Sequence, residues 1–130
     1  MTPPRAFLPR LVACLVLALP AGCSTGGEDG GGVPAWARGM PVAEVSELPA
    51  EARRALRLID EGGPFPHERD GSVFGDFEGL LPRHERGYCR EYTVPTPGSD
   101  DRGARRIVTG RNGETYYTDD HYASFTAVPR

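Results

Sequence analysis

The sequence contains no lysine, so all of its 15 cationic side chains are arginines. Set against 18 acidic residues, they leave a formal net charge of −3 over 130 residues. Such a chain gains nothing from its overall field when it approaches a nucleic acid. Recognition of phosphate must therefore come from a local cluster of arginines, and a general nucleic-acid coat protein is disfavoured.

Cysteine is also scarce. Of the three, Cys14 and Cys23 lie in or at the border of an N-terminal apolar segment, and Cys89 is alone in the remainder. If Cys23 is lipidated, Cys89 has no intramolecular partner and the domain lacks a disulfide despite export. We therefore expect Cys89 to be a small strand residue rather than a nucleophile.

Long hydrophobic runs are missing as well. The run Leu11–Leu19 is too short to span a bilayer as a helix, and it follows Arg5 and Arg10 and precedes Pro20. This is the layout of a secretory signal, with a buried N-terminal helix as the weaker alternative. Removing the signal would leave 13 positive against 18 negative charges, a formal −5.

The signal ends in Leu19-Pro-Ala-Gly-Cys23-Ser24, which resembles a bacterial lipoprotein signal. Cys23 is thus a candidate for lipid attachment, although ordinary cleavage nearby stays open. The predicted organisation is an export signal over 1–23, a flexible Gly-rich linker over 24–44 and a domain over 45–130. The interpretation of residues 34–45 is left open, including whether Trp36 docks on the domain.

A helix is predicted between Leu48 and Gly62. Pro49 suits its first position, Glu51 complements the positive end of its dipole, and Gly62 with Gly63 ends it. Its apolar positions fall on one stripe: Ala52, Ala55, Leu56 and Ile59. Its arginines lie outside the stripe and are expected to be solvated rather than to bind RNA: Arg53, Arg54 and Arg57.

After Pro64, short β-prone runs alternate with turn residues. Strands are predicted over Val73-Phe74, Tyr88–Val94, Arg105–Thr109, Thr115–Thr118 and Ala123–Val128. Arg111–Glu114 carries the Asn-Gly pair typical of a tight hairpin. One helix followed by consecutive strands predicts an α+β domain, with an N-terminal helix packed on one face of an antiparallel β-sheet.

Glu91 lies in the second of these runs. Period-two alternation places Cys89 and Thr93 on the same face as Glu91. A lone strand carboxylate is more often an ordinary surface residue. Glu91 is therefore a candidate for chemistry only in combination with other groups.

Three cationic candidates follow it. Arg102 and Arg106 would share a face of one strand, although Gly103 between them favours a bend. The planar fork of arginine can grip a phosphate with two hydrogen bonds. His121 stands beside Asp120, and neighbouring carboxylates favour the protonated imidazole of a general acid. A base, an acid and cations around a phosphate are what cleavage of RNA through its own 2′-hydroxyl requires, but each group taken singly is equally typical of solvated surface charge.

The remaining titratable groups suggest no metal site. His67 and His84 lie in predicted loops without a paired ligand pattern, and we expect both at the surface. Asp100-Asp101 is more typical of a solvated turn than of a calcium loop. We expect neither a metal nor another cofactor.

A string of short motifs occurs in order along the predicted domain. It consists of Leu48–Ala52, Gly63–Pro66, Asp70–Phe74, Leu81-Pro82, Gly87-Tyr88, Glu91–Val94, Thr96–Gly98, Arg102–Ile107, Thr109-Gly110, Tyr116–Thr118 and Asp120–Ala123. From Leu48 to Phe125 the chain resembles the microbial guanyl-specific ribonucleases, the superfamily of barnase, and most closely their Streptomyces branch. The resemblance implies a metal-independent endoribonuclease that yields a 2′,3′-cyclic phosphate and then a 3′-phosphate.

Position by position, the resemblance implies that Glu91 is the general base and His121 the general acid. Arg102 and Arg106 match the arginines that hold the scissile phosphate, and Tyr122 matches a tyrosine that lines the site. The substrate would be single-stranded RNA. The resemblance further implies a monomer, and a small acidic barstar-like protein as a possible inhibitor.

Residues Phe74–Glu78, termed here the guanine loop, match the family's base-recognition loop. Glu78 would accept from the N1–H and the exocyclic amine of guanine, which rejects adenine. Phe74 would stack under the base, and backbone N–H groups, including those around Gly75, would donate to O6. Asp76 and Phe77 depart from the pattern of the branch.

Asp76 stands where the family usually has asparagine, so it keeps the acceptor but not the amide donor. Phe77 stands where the branch has arginine, whereas the fungal branch has an aromatic residue that covers the base. These departures keep open an alternative function, a catalytically weak or inactive cell-surface module that binds nucleotides or a protein. The four groups assigned to catalysis favour the enzyme, because a binding module needs no acid and base.

Overall fold

The computed structural model describes residues 32–130, in which Val33–Arg130 form one compact unit. The predicted export signal, Cys23 and the first part of the predicted linker lie outside the described residues. Within 32–130, no helix has the length and apolar character needed to cross a membrane.

The single α-helix, α1, spans Ala50–Glu61. Pro49 precedes its first residue and accepts the first helical hydrogen bond, from Arg53 N at 3.1 Å. At the other end, Gly62 adopts φ 79°, and the N–H groups of Gly62 and Gly63 close back on Ile59 and Leu58. Only glycine takes this left-handed conformation without strain, so the predicted stop is where the helix ends.

Five antiparallel strands form one sheet in the order of the chain: β1 Ser72–Val73, β2 Cys89–Thr93, β3 Arg106–Gly110, β4 Thr115–Thr118 and β5 Thr126–Ala127. The predicted hairpin joins β3 to β4, closed by Gly110 N donating to Glu114 O at 2.8 Å. The predicted α+β class, one helix on an antiparallel sheet, is confirmed.

Strand alternation gives the sheet two buried faces. On one face α1 packs Ala52 and Leu56 against Ile107 and Tyr117. On the other face lies a second apolar cluster around Val108, with Tyr116, Phe125, Ala127, Leu81 and Ala37. Glu91 pairs in register with Val108, so its side chain belongs to this second face. The helix therefore supports the sheet from behind and leaves the other face for a site.

The segment before residue 45 packs on the domain, so the compact unit begins earlier than the sequence boundary of 45. Ala37 is fully buried, and the Trp36 ring meets the Tyr116 ring edge-on at 5.3 Å. Val42 forms a parallel bridge with Ala127. The side chains of Trp36 and Ala37 pack on the second face of the sheet, whose apolar residues would otherwise be exposed to solvent.

The last strand is shorter than predicted. Its first predicted residues, from Ala123 to Phe125, lie in a loop, and only Thr126–Ala127 pair with β4. Just before them His121 and Tyr122 have positive φ values of 55° and 71°. Two successive left-handed residues cannot continue a strand. The chain therefore turns here and directs both side chains toward the site described below.

Candidate active site

Glu91 lies in the middle of β2, where the sheet fixes its position. Its Oε2 accepts a hydrogen bond from Tyr122 Oη at 3.0 Å, and its Oε1 lies 3.5 Å from Arg102 Nη2. The side chain is 14% exposed, so the carboxylate faces a cleft rather than bulk water. The alternation that placed Cys89, Glu91 and Thr93 on one face agrees with these contacts, since Thr93 also reaches Arg102.

Arg102 precedes β3 and is oriented by Thr93. Its Nε and Nη2 donate to Thr93 Oγ1 at 3.1 and 2.8 Å. Gly103 adopts φ 63°, and an added Cβ there would approach Thr96 Oγ1 to 2.5 Å. Arg102 and Arg106 therefore do not share one regular strand. The bend at Gly103, not alternation, brings Arg102 to Glu91.

Arg106 is the first residue of β3 and is 3% exposed. Its Nη1 donates to the carbonyls of Gly103 and Arg105 at 3.0 and 2.7 Å, while its buried Nε has no hydrogen-bond partner. Among the described residues it makes no ion pair with a carboxylate. A buried cation with a free donor is costly unless an anion satisfies it.

The loop after β4 holds His121 by its backbone. His121 N donates to Ala104 O at 2.9 Å, which ties the loop to the bend beside Arg102. Asp120 organises the rest of the loop: one carboxylate oxygen accepts from Thr118 Oγ1 at 2.8 Å and Ser124 N at 2.9 Å, and the other accepts from the Ser124 hydroxyl. These bonds maintain the left-handed backbone that presents the imidazole.

Tyr122 is a neutral hydrogen-bond donor in this site. Burial, followed by the nearby charge of Glu91 and their hydrogen bond, raises its pKa to about 12, and Arg106 acts in the opposite direction. Its ring lies 5.1 Å from the Phe74 ring and 4.9 Å from the His121 imidazole. The phenol therefore links the strand carboxylate, the histidine loop and the guanine loop.

Asp76 shapes the guanine loop from inside. Its backbone has a φ of 47°, which aspartate tolerates better than most residues. Its two carboxylate oxygens accept from Leu80 N at 3.1 Å and Leu81 N at 3.3 Å. Both bonds use only acceptors. The aspartate therefore closes this loop without the amide donor of an asparagine.

Phe77 and Glu78 carry the exposed side chains of the guanine loop. The Phe77 ring is 94% exposed and lies over Gly75, where an added Cβ would come within 2.9 Å of it. Within the described residues the Glu78 side chain makes no hydrogen bond, and its carboxylate lines the cleft. An exposed aromatic ring and a free carboxylate beside a cavity are suited to a planar base with paired donors.

One cleft of about 330 Å³ gathers most of the predicted site. It is lined by Phe74, Gly75, Asp76, Phe77, Glu78, Glu91, His121 and Tyr122. Arg102 and Arg106 do not line it. Each of them lies next to a residue that does. Arg102 Nη2 is 3.5 Å from Glu91 Oε1, and Arg106 is close enough to Tyr122 to act on its pKa. The arrangement therefore combines a carboxylate, an imidazole, a phenol and two guanidinium groups beside a base-sized space.

A family model described as ribonuclease matches residues 35–129. The chain therefore belongs to the ribonuclease family. Within this family it is 63% identical to guanyl-specific ribonuclease Sa3 of Kitasatospora aureofaciens over 84 residues, which are 64% of this chain and 60% of that protein. It is 52% identical to guanyl-specific ribonuclease St of Saccharopolyspora erythraea, over 67% of this chain and 86% of that protein.

Solved ribonuclease structures share the fold. One of ribonuclease Sa2 complexes with mononucleotides superposes with a TM-score of 0.69 at 45% identity, covering 75% of this chain and 98% of that one. Another, of ribonuclease Sa2 with guanosine-2′-cyclophosphate, gives a TM-score of 0.66 at 46% identity, covering 69% of this chain and 96% of that one. The resemblance stated from the ordered motifs is thus confirmed.

Sequence reasoning about this ribonuclease missed the residues that support the site. Thr93 could have been found, because alternation already placed it beside Glu91. Arg69, which lines the cleft, carried no sequence signal. The burial of Arg106 and the bonds around Asp120 depend on contacts between distant segments.

The other two histidines behave differently from each other. The His67 side chain makes no hydrogen bond within residues 32–130 and lies beside a cavity bordered by Arg102. His84 stacks on Tyr88 with ring centroids 3.7 Å apart, and its Nε2 lies 3.6 Å from Glu114 Oε2. Glu114 is buried and also accepts from Tyr88 Oη at 2.6 Å. His84 is thus part of a structural network, which a loop position alone did not indicate.

Proposed function

We propose that this ribonuclease cleaves single-stranded RNA after guanosine, without a metal, by attack of the 2′-hydroxyl on the adjacent phosphorus. Glu91 takes the 2′-hydroxyl proton while the new O–P bond forms. His121 protonates the departing 5′-oxygen as the P–O5′ bond breaks, leaving a 2′,3′-cyclic phosphate. Water then opens this ring more slowly to a 3′-phosphate, with the two residues exchanging roles.

The observation that carries the proposal is the buried Arg106, whose Nε has no hydrogen-bond partner among the described residues and whose side chain is close enough to Tyr122, the hydrogen-bond donor to Glu91, to act on the pKa of that phenol. An anion is the partner that such a group lacks, and a phosphate gains charge at the equatorial oxygens in the transition state. Arg102 would grip the same phosphate from the Glu91 side. Tyr122, neutral at ordinary pH, would donate a hydrogen bond without adding repulsion.

Guanine preference is proposed to come from the guanine loop. Glu78 would pair with N1–H and the exocyclic amine, while Phe74 stacks under the base. Phe77, with its ring exposed, would cover the other side. Adenine lacks both the N1–H and the 2-amino group, so it cannot offer this pair of donors to Glu78. The names of the relatives, guanyl-specific ribonucleases, support this specificity.

Initial rates on GpA, ApA and CpA in excess EDTA test the proposal, using the unit Val33–Arg130. We expect GpA to be cut with formation of a cyclic phosphate and at least about 100-fold faster than the others, the discrimination expected of a paired hydrogen-bond reader. Glu78→Ala should reduce that ratio. A folded sample that cuts none of them would instead support the binding-module alternative.

We further propose where the enzyme acts and what it binds. Export through the segment 1–23 would place the enzyme outside the cytoplasm, secreted or tethered to a membrane by lipid on Cys23. A tethered form should become soluble on Cys23→Ser, and membrane association that persists would contradict lipidation. By resemblance, a small acidic barstar-like protein would inhibit the enzyme, and the enzyme would act as a monomer.

A further inference from the structure

A second cavity borders the guanine loop and has no role in the proposed reaction. It has a volume of about 570 Å³, in the range of ligand sites, and shares residues 74–78 with the active-site cleft. Its other wall is different, formed by Leu81–Arg86 with Cys89. This space is termed here the far cavity. If the guanine loop holds a base, the scissile phosphate of that nucleotide would lie in the active-site cleft. The far cavity would lie on another side of the same loop.

Two of the three carboxylates that line the far cavity are already engaged. Those of Asp76 accept from two backbone N–H groups, and Glu85 pairs with Arg111 at 2.8 Å. The remaining carboxylate, Glu78, is the one assigned to guanine. None of the three is therefore left to neutralise a cation in this cavity.

The two arginines that line the far cavity have no such partners in the described part of the chain. Arg83 and Arg86 are exposed on its wall, and within residues 32–130 neither forms an ion pair or a side-chain hydrogen bond. The chain as a whole is acidic, so its long-range field would not hold RNA there. Two free guanidinium groups beside a base-binding loop supply the local cluster that phosphate recognition needs.

The connectivity of RNA indicates which phosphate could reach Arg83 and Arg86. A guanosine within a strand carries one phosphate on its 3′-oxygen and another on its 5′-oxygen. The 3′-phosphate is the one cleaved beside Glu91 and His121. The 5′-phosphate extends from the opposite face of the ribose ring, and residues 74–78, which border both cavities, separate the cleft from the far cavity.

We propose that Arg83 and Arg86 form a subsite in the far cavity for the phosphate on the 5′ side of the recognised guanosine. This inference rests on the proposed function and deepens it, because it makes the enzyme prefer a guanosine inside a strand over one at a 5′ end. Exposed charge pairs are weak individually, so we expect the upstream phosphate to raise kcat/KM by about 3- to 10-fold at low salt, and by less as salt is added.

The test compares cleavage of GpA, pGpA and ApGpA after the guanosine. The wild-type unit Val33–Arg130 should cut both substrates with an upstream phosphate faster than GpA. In the double variant Arg83→Ala/Arg86→Ala the ratio of pGpA to GpA should fall toward one. The matched control is Arg53→Ala/Arg57→Ala on exposed positions of α1, which removes the same charge and should keep the wild-type ratio.

Equal rates on the three substrates, or equal loss in both double variants, would overturn the subsite. A gain with ApGpA alone would also overturn it, since the upstream base and not the phosphate would then be recognised. Calorimetry with the uncleavable 2′-deoxy forms of GpA and pGpA measures the same preference by binding. If GpA is not cut at all, the proposed function fails, and these binding data still decide the subsite.

Discussion

Replacing Glu91 by glutamine isolates proton removal from every other property of the site. In the wild type Oε2 accepts from Tyr122 at 3.0 Å and Oε1 faces Arg102 at 3.5 Å. The amide can turn its oxygen toward Arg102 and its NH2 group toward the tyrosine hydroxyl, which can accept. The shape and most contacts survive, but the side chain can no longer take a proton from a 2′-hydroxyl.

The expected magnitudes separate the loss of the general base from the loss of the ion pair with Arg102. Loss of a general base lowers the rate by about 10²- to 10⁴-fold, or roughly 3 to 5 kcal/mol of transition-state stabilisation. The lost ion pair is partly open to solvent, with Arg102 31% exposed, so unfolding free energy should fall by less than about 1 kcal/mol. In a unit of this size that is a decrease of no more than about 4–8 °C in Tm.

The assay is kcat/KM on GpA together with thermal unfolding of the same samples. Glu85→Gln is the matched control, because it also removes a carboxylate paired with an arginine, at an exposed position away from the cleft. It should retain wild-type activity. Activity of Glu91→Gln within about threefold of wild type would refute its role as base, whatever the Tm.

Three further predictions follow from the same contacts. Because the pKa of Tyr122 is raised from about 10 to about 12, its stabilising contribution is present below pH ~10 and lost as pH rises toward ~12; urea unfolding should show this alkaline loss in the wild type and less of it in Tyr122→Phe. Arg106→Met should lower kcat/KM by about 10²-fold or more and abolish the rise in Tm that phosphate gives the wild type, and a variant that phosphate still stabilises would contradict the anion site. Asp120→Ala should lower kcat more than it raises KM, because the His121 loop loses its hydrogen bonds, whereas Asp120→Asn keeps an acceptor for Ser124 N and should recover most of kcat; equal loss in both would show that the charge, not the loop, matters.

The elements that local sequence determines were predictable. Pro49 and Gly62 bound α1 because one lacks a backbone donor and the other tolerates a positive φ. Asn112-Gly113 favours the β3–β4 hairpin because Gly113 tolerates the positive φ that the turn requires. Glu91 could be placed on the correct face of β2, because alternation in a strand is fixed by the backbone.

What depends on distant contacts was not predictable. The segment around Trp36 and Ala37 is short and lacks a periodic pattern, and its burial against Tyr116 appears only once the sheet is formed. The last strand was predicted too long, because β-prone residues follow His121 in a loop held by Asp120. Likewise, no spacing rule indicates that Arg106 is buried with a free Nε.

The substitution at Asp76 shows how structure changes the weight of a sequence difference. From the sequence, Asp76 lacks the amide donor of the asparagine that the family usually has at this position. The loop instead needs only acceptors at this position, because Leu80 N and Leu81 N both donate to the Asp76 carboxylate. The departure therefore leaves the shape of the loop supported, and what it adds to the loop is one negative charge.

The central claim, attack by the 2′-hydroxyl of a guanosine, is tested most directly with a DNA oligonucleotide that contains one ribonucleotide. In excess EDTA, mass spectrometry should find cleavage only after a riboguanosine, with the upstream fragment ending in a 2′,3′-cyclic phosphate. The strand with riboadenosine at the same place and the all-deoxy strand should stay intact. Equal cleavage after riboadenosine, cleavage of the all-deoxy strand, or no cleavage after riboguanosine would contradict the account.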